Sequence, residues 1–241
     1  MSKELLTKEK LNEPAEEAYK VLRTNLQFCG YDRKIKTLTI TSCTPGEGKT
    51  TTSINLAISM AKSGVKVVLV DADLRKPMLL KNLRSSNTKG LTSYISGNAE
   101  LDDIINNSSI ENFYFITCGP KPPNPAELLS AKRFSQLIDE LETRFDFVIF
   151  DTPPLGSVID CAIIASQTDG TIIVIKSKSV SRNNVQRVKE QLEKVNAKIL
   201  GVVLNKISRG DYKNHLGYYN YYSEKKYNIK KWFERKKNRG V

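Results

Sequence analysis

The sequence has few of the residues that mark metal centres or disulfide-stapled secreted domains. Its 241 residues include one histidine and four cysteines. Cys29, Cys43, Cys118 and Cys161 are scattered without paired spacing, so we expect reduced thiols rather than disulfides or metal ligands. His215 lies in a polar segment, where we expect a solvated side chain rather than a catalyst.

Long apolar runs are also missing. No run approaches the roughly eighteen residues of a membrane span, and the amino terminus has no signal-peptide core. We therefore expect a cytoplasmic protein. Hydrophobic residues make up 39% of the chain, enough for one sizeable core, and there is no internal repeat. One α/β domain of this length is common.

The positive charge is unevenly distributed. The formal net charge is +12, and residues 206–241 hold eleven Lys or Arg against three acidic residues, a net +8. Such a tail indicates nucleic acid, acidic lipid or a solvated end. No DNA-reading motif accompanies it, so we expect a solvated or lipid-facing tail and no specific nucleic-acid partner.

The most informative segment is a glycine-bearing loop at residues 41–51, between an apolar run and an amphipathic one. Gly46 and Gly48 let backbone amides turn inward, and the following helix points its positive end at the same place. Lys49 can reach the β- and γ-phosphates, and Thr50 can ligate Mg²⁺. The residues predicted to bind the nucleotide here are Thr44, Pro45, Gly46, Glu47, Gly48, Lys49, Thr50 and Thr51.

This loop departs from the usual P-loop pattern at one position. Cys43 occupies the place of the first glycine. The alternative interpretation is an ordinary Gly-rich turn, but the Gly-Lys-Thr core lies between a predicted strand and a predicted helix, which favours phosphate binding.

Two apolar runs end in carboxylates that agree with a nucleotide site. One run ends in Asp71, with Asp73 two residues on, and another ends in Asp151. Buried parallel strands deliver such residues to the crevice at their carboxyl ends. Mg²⁺ takes one or two carboxylates plus phosphate oxygens, so Thr50, Asp71 and Asp151 are the predicted metal ligands. A capping or turn role is the alternative for each carboxylate alone.

The coarse pattern alternates strands with helices, which predicts a three-layer fold with a parallel sheet covered on both faces. Strands are predicted at 36–41, 66–71, 113–117, 147–151, 171–175 and 199–205. Helices are predicted at 14–28, 50–63, 125–143, 158–165 and 182–195. Residues 76–112 are predicted to hold short helical pieces at best. We divide the chain into an amino-terminal helical segment (1–30), a P-loop domain (31–210) and a flexible, tyrosine-rich basic tail (211–241).

Six tyrosines fall within sixteen residues of that tail, without the spacing or the aliphatic neighbours of a core. An aggregation-prone tail or a single-strand stacking surface are the alternatives. We favour hydroxyls that reach a phosphate-transfer site, where each phosphate would add about −1.5 to −2 charges. The predicted phosphoacceptors are Tyr212, Tyr218, Tyr219, Tyr221, Tyr222 and Tyr227.

The chain resembles the bacterial tyrosine kinases (BY-kinases) of capsular and exopolysaccharide biosynthesis, specifically their cytoplasmic kinase component. The resemblance covers nearly the whole chain. It is carried by the loop at 44–50, by Val-Asp-Ala-Asp-Leu-Arg-Lys-Pro at 70–77, by Phe-Asp-Thr-Pro-Pro at 150–154 and by the proline-rich segment at 119–129. The chain has none of the glycine-loop or catalytic-loop patterns of eukaryotic kinases.

The resemblance implies an ATP- and Mg²⁺-dependent protein-tyrosine autokinase. It also implies that the domain at 31–210 is of the MinD/ParA-like type and that residues 1–30 form an oligomerisation helix. Lys49 and Mg²⁺ would neutralise the transferring phosphoryl group, and Asp151 would position the metal. Asp71 would orient or deprotonate the tyrosine hydroxyl, as a true base or as a metal-shell carboxylate, with Asp73 assisting. Asn205 resembles an adenine-reading position, and a strand-terminal turn is its alternative.

The family also uses a glutamate and two arginines on an amino-terminal helix to form a ring, of which an octamer is one form, for phosphorylation in trans. Glu17, Lys20 and Arg23 occupy these positions here, on one helix face. Lys20 replaces an arginine and lacks its bidentate fork. A solvated ion-pair face is the alternative.

The resemblance implies further partners: a membrane adaptor with a cytoplasmic activating segment, a cognate tyrosine phosphatase and protein substrates of polysaccharide synthesis. The adaptor would recruit the kinase to the inner face of the cell membrane. Two other functions stay open. A MinD/ParA-type ATPase switch would carry a second lysine where Thr44 stands. A non-catalytic scaffold that uses ATP only to assemble would not need an intact set of Lys49, Thr50, Asp71 and Asp151.

Overall fold

The computed structural model describes residues 11–30, 34–83 and 87–208. The tail tyrosines lie outside this range. The helices are α1 (Glu13–Cys29), α2 (Lys49–Ala61), α3 (Leu79–Asn82), α4 (Leu91–Ile95), α5 (Leu101–Ile104), α6 (Pro125–Leu129), α7 (Lys132–Arg144), α8 (Asp160–Ala165) and α9 (Arg182–Lys194). The strands are β1 (Thr37–Ser42), β2 (Val67–Asp71), β3 (Ile105–Asn107), β4 (Phe113–Ile116), β5 (Phe147–Asp151), β6 (Gly170–Lys176) and β7 (Ile199–Asn205).

One seven-stranded sheet organises the chain, in the order β3-β4-β2-β5-β1-β6-β7. Every neighbouring pair is parallel except β3 with β4. The three strands that carry the predicted site are therefore adjacent, with β5 between β1 and β2. Because they run in one direction, their carboxyl ends meet at one edge of the sheet.

Both faces of the sheet are covered by apolar clusters. On one face, alternate residues such as Leu38, Leu69 and Ile149 pack against α1 and α2. On the other face, Val70 and Phe150 pack against α4, α5 and α7, and α8 and α9 close the part over β6. The continuous apolar runs in the sequence arise because central strands are buried on both sides. The predicted three-layer α/β fold is confirmed.

The prediction of one helix over 125–143 is wrong. The segment forms α6 and α7, separated by Ser130 and Ala131. The Ser130 hydroxyl donates to the Ala126 carbonyl at 2.9 Å, competing with the backbone ladder. Ala131 is extended, with φ −69° and ψ 146°. Neither residue is a glycine or a proline, so the sequence carries no strong break signal.

Residues 76–112 contain the three short helices α3, α4 and α5, but also the strand β3, which the sequence reading missed. Strand β3 is three residues long and pairs antiparallel with β4 through Ile105 and Asn107. So short an edge strand has no periodicity to detect.

Candidate functional site

The loop between β1 and α2 has the backbone of a phosphate cradle. Gly46 and Gly48 have φ of +81° and +98°, a region that favours glycine. A Cβ on Gly46 would meet nothing within 4 Å, so that side of the loop is open. Gly48 is the N-cap of α2 and supplies no side-chain cap, which leaves the first amides of a thirteen-residue helix available for an anion.

Glu47 braces this loop from behind. Its side chain is buried, and its carboxylate accepts from the Thr44 amide at 2.7 Å and from the Lys176 amide at 3.2 Å. The second contact ties the loop to the end of β6. Glu47 therefore shapes the cradle, because its carboxylate is engaged by backbone amides.

Asn205, at the end of β7, reaches the same loop. Its side-chain amide donates to the Glu47 carbonyl at 2.8 Å. A Cβ added to Gly48 would lie 2.1 Å from Asn205 Nδ2. The residue predicted to read adenine thus packs directly on the P-loop glycine.

Cys43, at the position of the missing first glycine, is buried in the cluster formed with α8 and α9. A Cβ added to Gly156 would lie 2.1 Å from the Cys43 carbonyl oxygen, so the loop after β5 runs close behind Cys43. Burial raises the pKa of the Cys43 thiol to about 11, and Glu47 adds to that rise. The position thus accepts a small apolar side chain. All four cysteines are free thiols in the structure.

Lys49 is held by carboxylates. Its Nζ lies 3.0 Å from Asp73 Oδ2, with both side chains largely buried. Burial by itself would lower the pKa of Lys49, but the negative charges of Asp151 and Asp73 outweigh it and raise the pKa. The lysine is therefore a charged group at the mouth of the cradle.

Asp71 is fully buried at the end of β2. Its Oδ2 accepts from the amides of Met78 and Leu79, at 3.1 and 2.9 Å, and so caps α3. Its Oδ1 is buried without a hydrogen-bond partner. Burial, with a smaller contribution from the nearby Asp151 charge, raises the pKa of the Asp71 carboxyl to about 8. An orphaned carboxylate oxygen of this kind calls for a proton or a cation.

Asp151 lies beside Asp71 in register on the adjacent strand β5. Its Oδ1 accepts from the Ser53 hydroxyl at 3.2 Å. Burial raises the pKa of Asp151, against the lowering effects of the Lys49 charge and of hydrogen bonds from Thr50 and Ser53. Asp151 thus contacts two residues of α2, Ser53 and the predicted metal ligand Thr50.

These donors fit a magnesium nucleotide. Thr50, Asp71 and Asp151 offer hard oxygens, and Asp71 Oδ1 is orphaned. Within the described residues, no group of three or more His, Cys, Asp or Glu side chains could hold a metal ion by itself. A cation here would therefore need further ligands, such as the waters and phosphate oxygens that Mg²⁺ takes at NTPase sites.

The three predicted oligomerisation residues of α1 make different contacts. Lys20 Nζ pairs with Glu17 Oε2 at 3.0 Å, and both side chains are more than half exposed. Arg23 instead donates from Nη1 to the Ser59 carbonyl at 2.6 Å, in the last turn of α2. Of these three residues, Glu17 and Lys20 are presented mainly to solvent, whereas Arg23 contacts α2.

One contact between site loops was missed by the sequence reading. Arg75 donates two hydrogen bonds to Asp160, which joins the loop after β2 to the start of α8. Arg75 belongs to the motif at 70–77, so the sequence alone could single it out. Its partner is 85 positions away and carries no local signal.

This fold and cradle define a P-loop nucleotide-binding protein. The family described as AAA domain matches residues 35–205. The tyrosine-protein kinase CpsD of Streptococcus agalactiae is 44% identical over 206 residues, covering 83% of this chain and 89% of that protein. The tyrosine-protein kinase YwqD of Bacillus subtilis is 41% identical over 205 residues, covering 84% of this chain and 85% of that protein.

Solved structures agree with these relatives. The chimerical protein CapA2B2 superposes with a TM-score of 0.79 at 36% identity, covering 82% of this chain and 87% of that one. The kinase domain of Escherichia coli tyrosine kinase ETK gives 0.76 at 35% identity, covering 80% and 78%. The chain belongs to the bacterial tyrosine-protein kinases, and it is an enzyme of that class.

The wider fold is shared with MinD. The septum site-determining protein MinD of Pyrococcus horikoshii, complexed with Mg-ADP, gives a TM-score of 0.62 at 26% identity and covers 73% of both chains. This likeness confirms the predicted MinD/ParA-like fold without favouring the ATPase-switch alternative. Among the described residues, no helix is both long and apolar enough to cross a bilayer.

Proposed function

We propose that this kinase uses Mg·ATP to phosphorylate the tyrosine cluster at 212–227 of another copy of itself. The observation that carries the proposal is the convergence of Lys49, Asp71, Asp73 and Asp151 on the cradle at the carboxyl ends of β1, β2 and β5. Phosphoryl transfer needs positioning and charge stabilisation more than covalent chemistry, and these groups can supply both.

Each residue of the site has a role in this proposal. The amides at the start of α2 and Lys49 bind the phosphates, and Asn205 lies at the loop on the side proposed for adenine. Thr50, Asp151 and Asp71 would hold Mg²⁺, which would neutralise phosphate charge when bound. Asp71, with Asp73 beside it, orients the incoming tyrosine hydroxyl, either as the base that takes up its proton or as a carboxylate of the metal shell.

Access to Asp71 sets a requirement on the mechanism. The carboxylate is buried and caps α3, so the tyrosine must approach through the side on which Oδ1 lies. Burial keeps the pKa of Asp71 near 8, close to the pH at which a general base works best. Once Mg²⁺ or the Lys49 charge lies closer, the proton affinity of Asp71 falls and a metal-ligand role is favoured.

In this proposal residues 1–30 serve oligomerisation, residues 31–210 transfer phosphate and residues 211–241 accept it. Glu17, Lys20 and Arg23 support a ring in which one copy's tail enters its neighbour's site. A membrane adaptor's cytoplasmic segment activates the kinase at the inner face of the membrane, a phosphatase resets it, and the output controls polysaccharide polymerisation and export.

The test is autophosphorylation with Mg·ATP, with the adaptor's activating segment fused before Met1 or absent, followed by mapping of phosphosites by mass spectrometry. We expect phosphotyrosine between Tyr212 and Tyr227, weak without the segment and lost in Lys49→Met. ATP hydrolysis without phosphotyrosine, even with the activating segment, would overturn the proposal in favour of an ATPase switch.

A further inference from the structure

A planar ion pair links the two loops that carry the site's carboxylates. Arg75 Nε donates to Asp160 Oδ2 at 2.8 Å, and Arg75 Nη2 donates to Asp160 Oδ1 at 3.0 Å. The Asp160 side chain is completely buried, whereas that of Arg75 is 43% exposed. Both carboxylate oxygens are therefore satisfied by one guanidinium fork, a geometry that lysine cannot reproduce.

The pair lies immediately next to the catalytic constellation. Arg75 follows Asp73, whose Oδ2 contacts Lys49 Nζ at 3.0 Å and whose Oδ1 accepts from the Lys76 amide at 2.9 Å. The segment around Arg75 is thus anchored at the site on one side and at α8 on the other. Asp160 follows the loop that leaves Asp151.

The β-sheet already aligns Asp71 and Asp151, because β2 and β5 are paired up to these residues. Beyond the strand ends, the backbone bond from the Ala72 amide to the Asp151 carbonyl, at 2.9 Å, continues this pairing. Asp73 lies after that point, so its position depends on its loop. The Arg75–Asp160 ion pair fixes this loop, which follows β2, to the start of α8, where the loop after β5 ends.

Stability alone does not explain such a pair. Asp160 is buried, and burying a carboxylate removes its hydration, so replacing such a pair by apolar groups of similar volume is often neutral or stabilising. What the fork supplies is a defined geometry between two loops. In phosphoryl transfer a small displacement of the reacting groups is expensive: roughly 1 Å can cost about 100-fold in rate.

We propose that Arg75 and Asp160 are positioning residues for phosphoryl transfer, which hold Asp73 and its Lys49 contact in register with Asp71 and Asp151. This inference rests on the proposed function. In this proposal neither Arg75 nor Asp160 contacts ATP or the tyrosine. The pair acts through the loop that it holds, so its loss reduces turnover while leaving the phosphate cradle able to bind nucleotide.

The experiment compares Arg75→Lys with Arg144→Lys in the full chain. Arg144 pairs with Asp102, and its side chain is 42% exposed, close to the exposure of Arg75, but it lies on α7 away from the site loops. Purified Lys49→Met chain serves as the tyrosine acceptor, and kcat and the KM for ATP are measured together with thermal unfolding.

For Arg75→Lys we expect kcat to fall about 10-fold or more, with the KM for ATP changed by less than about 3-fold. For Arg144→Lys we expect both constants unchanged. A second variant, Arg75→Met/Asp160→Leu, replaces the ion pair by apolar groups and guards against misfolding. It should unfold at a temperature near that of the wild type and still lose kcat.

Wild-type kcat in either Arg75 variant, in protein that unfolds at the wild-type temperature, would overturn the inference. A loss confined to KM would do the same, since it would place the defect in nucleotide binding. ATP hydrolysis is measured in parallel. If the wild type hydrolyses ATP without making phosphotyrosine, the proposed function is refuted but the inference about Arg75 and Asp160 is not. In that case the inference is decided by the rate of ATP hydrolysis in the variants relative to the wild type.

Discussion

Asp71 and Asp151 lie side by side in register on the adjacent parallel strands β2 and β5, both buried. Two carboxylates in this arrangement oppose each other's ionisation, and burial opposes it further. The protein thus maintains a locally unfavourable cluster, partly offset by Lys49, at the point where a cation and phosphates are proposed to bind.

The first prediction concerns pH and Asp71. The folded pKa is about 8, above the unfolded value of about 3.9, so the folded state holds the proton more tightly. The Asp71 contribution to stability is therefore fully present below about pH 4 and is lost as pH rises to about 8. Asp71→Asn removes this titration, keeps an acceptor for the α3 amides and offers Asp151 a donor.

We expect Asp71→Asn to be more stable than the wild type at pH 8, by on the order of a few kcal/mol, and to lose most of this advantage at pH 5. The measurement is the free energy of unfolding in urea at both pH values. Asp139→Asn, at an exposed carboxylate of α7, is the control. A constant difference between wild type and Asp71→Asn across this range would contradict the prediction.

The second prediction separates steric contact from backbone strain in the P-loop. Gly46→Ala and Gly48→Ala both place a Cβ at positive φ, but only the second meets Asn205. We expect nucleotide affinity to fall further in Gly48→Ala, and part of the loss to be recovered in Gly48→Ala/Asn205→Ala. Binding of a fluorescent ATP analogue provides the readout, and equal losses in the two glycine variants would rule out the Asn205 contact as the cause.

The third prediction concerns the amino-terminal helix. Arg23 holds the last turn of α2 through the Ser59 carbonyl, so Arg23→Ala should cost about 1–3 kcal/mol of unfolding free energy. Lys20→Ala removes only an exposed pair and should cost less than about 1 kcal/mol. Urea unfolding measures stability and light scattering measures assembly.

If Glu17, Lys20 and Arg23 support a ring, both variants lower the assembled fraction, but only Arg23→Ala also lowers stability. Lys20→Arg restores the bidentate fork and should strengthen assembly. An Arg23→Ala protein of unchanged stability would show that its contact with α2 is energetically unimportant.

The fourth prediction concerns the thiols. Burial raises the pKa of Cys43, Cys118 and Cys161 to about 11, 12 and 11 respectively, and Cys29 is exposed. Because the thiolate is the reactive form, iodoacetamide at pH 7.5 should label Cys29 in native protein and all four cysteines after denaturation. Labelling of Cys43 at a rate near that of Cys29, followed by mass spectrometry, would show that the P-loop opens readily.

Local signals were sufficient for much of the fold and the site. The apolar runs ending in Asp71 and Asp151 predicted buried parallel strands, since burial on both faces leaves few polar positions. The Gly-Lys-Thr core identified the cradle despite Cys43, because the surrounding strand and helix supply the geometry. What sequence could not reveal were contacts between distant residues.

Three such contacts illustrate the limit. Arg23 of α1 contacts Ser59 of α2, and Glu47, in the loop after β1, contacts Lys176 at the end of the neighbouring strand β6. Arg75 meets Asp160 only after the two loops are brought together by strand order. No local sequence pattern links the two members of each pair, and only the tertiary fold brings them into contact. The split between α6 and α7 likewise has no strong local signal, because it falls at Ser130 and Ala131 rather than at a glycine or a proline.

Phosphorylation in trans is tested most directly by mixing two inactive partners. One is Lys49→Met with all tail tyrosines intact, and the other is a chain with an intact site whose six tyrosines at 212–227 are changed to phenylalanine. Both carry the activating segment and receive Mg·ATP. Phosphotyrosine in the mixture, on the Lys49→Met chain and in neither protein alone, is the predicted result. No phosphotyrosine in the mixture, with wild-type protein active beside it, would contradict transfer between copies.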